Sequence, residues 1–97
     1  MEKLTREKIK EIVYNCAKER FYDDEYFNEQ IMTKSYDGEN ELIYDEIMFD
    51  SLDMIEFIME TEQTIGNELH HKFIIPDEII DNDITLGKII DYIYNNQ

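Results

Sequence analysis

Asp50-Ser51-Leu52-Asp53-Met54-Ile55-Glu56-Phe57-Ile58-Met59-Glu60-Thr61-Glu62-Gln63-Thr64-Ile65 is the stretch that decides how this chain folds. Its apolar residues recur with the period of a helix, placing Leu52, Ile55, Ile58, Met59, Glu62 and Ile65 along one side that is apolar apart from Glu62. Ser51 stands at the start of this run between two carboxylates. Ser and Asp favour helix starts because a side-chain oxygen accepts a backbone N–H of the first turn. Asp53, three residues after Asp50, matches the acidic member of a capping box. The pattern therefore places one hydroxyl at a helix start, as a cap or as a point of attachment.

Moving outward, Gly66 is a candidate cap for the end of this helix, with Glu68 to Lys72 as an alternative extra turn. Pro76 suits the first position of a short helix anchored by Ile79 and Ile80, because its missing N–H would be unpaired there in any case. Thr85 caps a last helix whose Leu86, Ile89, Ile90 and Ile93 share a face, and Asn95-Asn96-Gln97 reads as a fraying tail. Upstream, Thr5 caps a first helix carrying Ile9, Ile12, Val13, Cys16 and Ala17 at helical spacing, with Leu4 and Ile9 placed as a hydrophobic staple. Residues 22–49 show little periodicity, many aromatics and acids, and a turn signal at Asp37-Gly38. A long connection is expected there, with short helical turns at Tyr26 to Met32 and Glu41 to Ile47, since structureless loops of that length are unusual. Three longer helices, one short helix and no convincing strand pair predict an all-α fold, a small helical bundle forming a single domain over residues 1–97.

With 97 residues and 42% hydrophobic content, the chain has enough apolar surface for one core. Its 24 Asp and Glu against 9 Lys and Arg give a formal charge of −15, which repels itself in the compact state. Thermal stability is accordingly expected to rise on going from low to physiological ionic strength, as a salt series of melting curves would show. Such a surface is wrong for nucleic acid and for an anionic membrane, both of which require Lys and Arg, and suits a partner with a basic patch. Acidity of this kind also simply keeps a protein in solution. Cys16 is the single cysteine, so no internal disulfide and no cysteine-based zinc site can form, and its place on the apolar stripe makes it a small core residue. No apolar leader segment and no membrane-length run occur, so a cytoplasmic location and no membrane insertion are expected.

Several chemistries fail on their residues. Aligning Gly38 with the sixth position of an EF-hand loop puts Thr33 first and Tyr44 twelfth, neither a carboxylate. Adjacent His70 and His71 point apart and lack a third ligand at a suggestive spacing, so no metal is expected. A serine nucleophile needs a base, and no motif brings either histidine to Ser51. The chain does not read as a hydrolase.

The run from Asp50 resembles the second helix of acyl carrier proteins, which typically begins Asp-Ser-Leu-Asp and continues with apolar and acidic positions. Leu42 to Phe49 resembles the family's approach to that serine, and Ile75-Pro76-Asp77-Glu78 resembles its lead-in to a short third helix. Ile84-Thr85-Leu86 through Ile90-Asp91-Tyr92-Ile93 resembles its last helix. Together these segments cover roughly half the chain in the family's order, far more specific than a tetrapeptide. The resemblance implies a four-helix bundle with a long first loop, and a monomeric, non-catalytic carrier. On that resemblance Ser51 accepts 4′-phosphopantetheine from coenzyme A through a separate phosphopantetheinyl transferase, and the arm then carries acyl groups as thioesters for fatty-acid, polyketide or related synthesis.

The same resemblance assigns Asp50, Asp53, Glu56 and Glu62 to docking against the basic surfaces of the transferase and acyl-processing enzymes, with Met54 as an exposed apolar anchor among them. Leu52, Ile55, Ile58, Met59, Thr61, Ile65, Ile80 and Ile90 are the positions that would line an acyl pocket, or else belong to an ordinary core. Three departures from the family pattern stand out: Met48 where a glycine is usual, Thr61 where an apolar residue is usual, and a longer span from Ser51 to Pro76, with the extra residues around Gly66 to Lys72. Two other readings compete: an acidic interaction module without a prosthetic group, and a carrier of an amino acid such as D-alanine.

Overall fold

A computed structural model of the chain describes residues 3–19, 43 and 49–97. The expected turns at Tyr26 to Met32 and Glu41 to Ile47, and the position of Met48, lie outside the described residues, save for Ile43. That residue is buried, and its N–H donates to the Ile84 carbonyl at 3.0 Å while its own carbonyl accepts from Phe49 N–H at 3.1 Å.

Helix α1 spans Arg6–Glu19 and starts as its sequence requires, with Thr5 Oγ1 accepting the Lys8 N–H at 3.1 Å. All five expected stripe residues are buried, and Tyr14 joins them. Helix α2 spans Ser51–Leu69 and helix α3 spans Leu86–Asn96, the latter capped by Thr85, whose Oγ1 accepts the Lys88 N–H at 3.2 Å. Leu86, Ile89, Ile90 and Ile93 are fully buried on one face of α3. Helix α1 packs against both α2 and α3, so the described residues form an all-α arrangement with no strand among them. No helix among them is long and apolar enough to cross a membrane.

Three details of the sequence reading are corrected. The expected third helix is a single 3₁₀ turn, Asp77–Ile79, with Pro76 before its first residue and the Pro76 carbonyl accepting the Ile79 N–H at 3.2 Å. An aspartate and a glutamate in so short a segment leave only Ile79 and Ile80 to hold it, and both are half-buried against the core. The chain end is not frayed: α3 continues to Asn96, and the Gln97 amide both donates to the Leu4 carbonyl, at 2.8 Å, and accepts the Leu4 N–H. Nearby, Arg6 donates through Nε and Nη2 to one Asp91 oxygen at 3.0 and 2.9 Å, joining α1 to α3 a second time.

The third correction concerns the face of α2. Its buried residues are Met54, Phe57, Thr61, Ile65 and Leu69, whereas Leu52, Ile55 and Met59 are exposed. The helix carries two apolar arcs, one interrupted by Glu62 and one by Thr61. Burying a hydroxyl costs a few kcal/mol, and burying an unpaired carboxylate costs far more, so the Thr61 arc faces the core.

Thr61 Oγ1 is fully enclosed and has no hydrogen-bond partner among the described residues. Replacing Thr61 with valine is therefore expected to stabilise the fold by about 1 kcal/mol, by removing an unsatisfied buried hydroxyl. Urea unfolding would read this as a higher midpoint at unchanged slope.

Helix α2 ends later than Ile65. Gly66 lies inside it, and the terminating residue is His70, in the left-handed region at φ 60° and ψ 28°. The Gly66 carbonyl accepts the N–H groups of both His70 and His71, the latter at 3.1 Å. The chain thereby folds back over Gly66, where a Cβ would lie 3.0 Å from the His71 carbonyl oxygen.

Candidate functional site

The start of α2 is fixed from two directions. Phe49, just before the cap, stacks edge-on against Phe57 with ring centroids 5.7 Å apart, pinning the approaching chain to the core. Asp50 is the cap: its Oδ1 accepts the Asp53 N–H at 2.8 Å, and Asp53 Oδ2 accepts the Asp50 N–H at 3.1 Å. This reciprocal pair satisfies two backbone donors.

The capping work therefore falls to the aspartates. Ser51 is the first helical residue, exposed, and its hydroxyl has no hydrogen-bond partner among the described residues.

Beside Ser51 opens a cleft of about 330 Å³, lined by Ser51, Met54, Ile55, Ile58, Met59, Glu62, Ile75, Asp77 and Ile80. Its volume is at the lower end of the range for small-molecule sites, and its walls are mostly apolar. Helix α2 supplies one wall, and the segment around Pro76 supplies the other.

Of the sequence-derived lining positions, Ile55, Ile58, Met59 and Ile80 meet here with Ser51. Leu52 is exposed and is not among the lining residues. Thr61, Ile65 and Ile90 are fully buried and lie away from the cleft, in the core. Met54 is 3% exposed, so it cannot serve as a surface anchor; it forms part of the cleft floor, because it belongs to the buried arc of α2.

The acids also occupy different settings. Asp50 is exposed, while Asp53, Glu56 and Glu62 are half-buried. Glu62 is engaged internally, its Oε2 accepting the Ile75 N–H at 2.6 Å. This short charge-assisted bond ties the middle of α2 to the opposite wall.

Ile75 and Asp77 are site residues that the sequence reading did not assign. Their signal lay in Ile75-Pro76-Asp77-Glu78, read there only as the start of a helix. Compared with protein-family models, curated proteins and solved structures, the chain finds no match. The site therefore has to be interpreted from its own chemistry. Among the described residues, no group of three or more His, Cys, Asp or Glu side chains is placed to hold a metal ion. What the site offers is an accessible hydroxyl at the head of a helix, at the mouth of an apolar cleft, with carboxylates around it.

Proposed function

We propose that the protein is an acyl carrier, with 4′-phosphopantetheine attached through a phosphodiester to Ser51. The observation that carries this reading is the division of labour at the start of α2. Asp50 and Asp53 satisfy the cap, and Ser51 stands exposed at the edge of an apolar cleft. A serine serving only as a cap would hold its oxygen against the backbone N–H groups of the first turn. The residues fit the group: the hydroxyl is accessible, and Ile55, Ile58, Met59 and Ile80 offer an apolar lining for an acyl chain. The arm supplies a thiol that holds acyl groups as thioesters.

An anion at the first turn of an exposed helix gains roughly 0.3 to 1 kcal/mol from the helix dipole. Asp50 and Asp53 oppose it, so their proposed value beyond capping is recognition by the basic surfaces of a phosphopantetheinyl transferase and acyl-processing enzymes. Glu62 is engaged internally as well, its carboxylate holding the Ile75 N–H as Asp50's holds the Asp53 N–H. Exposed ion pairs are worth about 0 to 1 kcal/mol each, and mainly raise encounter rate and set orientation. That suits a carrier that must leave each enzyme quickly.

The proposed bundle is of the four-helix acyl-carrier type, with the 3₁₀ turn at Asp77–Ile79 in place of its short helix. Incubation with coenzyme A and a broad-range transferase should add one phosphopantetheine, and peptide mapping should place it on Ser51. No mass gain with several transferases would overturn the proposal.

A further inference from the structure

Independently of any group on Ser51, we propose that residues 72–76 form an edge through which two copies of this chain pair. Burial alternates along the segment: Phe73 and Ile75 are buried while Lys72 and Ile74 are exposed, the period of a strand with one face on a core. Ile75 precedes a proline and is held extended for that reason, and Pro76 itself is extended at φ −71° and ψ 147°. The Ile75 N–H is taken by Glu62 of α2. Successive backbone groups of an extended chain face opposite edges, so those of Ile74 face away from that carboxylate. Neither the N–H nor the carbonyl of Ile74 has a hydrogen-bond partner among the described residues. An open edge of this kind is a template for another chain.

Charge selects the occupant. Residues 50–69 contain no Lys, Arg or His, so a second copy is repelled along α2 despite the exposed Leu52, Ile55 and Met59. Around Ile74 the charges are instead divided: His70, His71 and Lys72 precede it, and Asp77 and Glu78 follow it. Antiparallel pairing of Ile74 with the Ile74 of a second copy makes this arrangement self-complementary, as a two-fold contact requires. His71 then stands opposite Asp77 and His70 opposite Glu78, with Lys72 within reach of both acids, and the same pairs recur at the other end. The two Ile74 residues exchange both backbone bonds, and their side chains, each 54% exposed, cover one another. Pro76 has no N–H and ends the ladder, which keeps the contact short and closed to further strands. The dimer is accordingly weak, and the formal charge of −15 on each copy opposes it until salt screens the repulsion.

Sedimentation equilibrium of the full chain tests this. At about 0.15 M salt the average mass should rise from 11.8 kDa toward twice that between about 10 μM and about 1 mM, the range of a weak contact. Below that range the chain is the monomer that the carrier reading expects. Over the same range the Ile74 amide should exchange about threefold more slowly or better, and the resonances of residues 70–78 should shift. Lowering the salt to about 0.01 M should weaken association by about tenfold. Lys72→Glu, and separately Asp77→Lys combined with Glu78→Lys, should each weaken it by about tenfold or more at unchanged helix content by circular dichroism, because each sets like charges opposite one another. Mixing the two variants should restore association, since the exchanged charges then meet opposite ones at both ends. A mass of 11.8 kDa at every concentration, association that neither variant changes, or a mixture no tighter than its components would overturn the proposal. Concentration-dependent shifts confined to α2 would do the same. A chain that stays monomeric while an added extended peptide shifts Ile74 would overturn it too, and assign the edge to a foreign strand.

Discussion

Ser51→Ala is expected to abolish phosphopantetheine attachment completely while changing the unfolding free energy by no more than about 0.5 kcal/mol, the usual range for a surface position. The two halves of this result come from the same geometry. Without the hydroxyl there is no nucleophile for the arm. The hydroxyl also contributes no hydrogen bond to the described fold, because Asp50 and Asp53 cap the helix reciprocally. If Ser51 were instead the working cap, alanine would cost about 1 kcal/mol. Intact mass after transferase treatment and a urea midpoint, measured on the same variant, separate these cases. A destabilised variant would return Ser51 to a structural role.

Phe57→Ala is expected to be the most damaging single change to the fold, costing about 3 to 5 kcal/mol. Phe57 is fully buried on the core side of α2, and its ring meets Phe49 edge-on. Truncation leaves a cavity and removes the aromatic pair that pins the approach to Asp50. Since small domains have only about 5 to 15 kcal/mol to lose, the variant should be partly unfolded or melt well below the parent protein. Its loading at Ser51 should slow as well, because the start of α2 is no longer held. A shift in the urea midpoint worth less than about 1 kcal/mol would show that the core does not depend on this residue.

The caps and stripes of α1 and α3 were legible because they rest on local signals that agree. Thr5 and Thr85 each precede a helix and accept the expected N–H, and the apolar spacing behind each has one solution. Helix α2 was harder because two apolar arcs compete, and periodicity alone does not rank them. The ranking comes from the cost of burying Glu62 against that of burying Thr61, a tertiary term. The same choice explains why Met54 lies in the floor of the cleft and Leu52 lies outside it.

Tertiary bonds explain the other misreadings. Gln97 is ordered by pairing with Leu4, 93 residues away, which no local pattern announces. The return of the chain over Gly66 depends on His70 adopting a left-handed conformation, where glycine or asparagine is the usual signal. At the site, the capping box and the position of Ser51 could be read from four residues. The cleft could be read only in part: Ile55, Ile58, Met59 and Ile80 were assigned to it, but Ile75 and Asp77 of its second wall were not, because only the tertiary fold brings that segment across from the helix.

The most direct test of the carrier assignment is the intact mass of the protein purified from the cells that make it. The expected result is a covalent phosphopantetheine on Ser51, with or without an acyl group on its thiol. A population made up entirely of the bare polypeptide, with Ser51 unmodified, would contradict it.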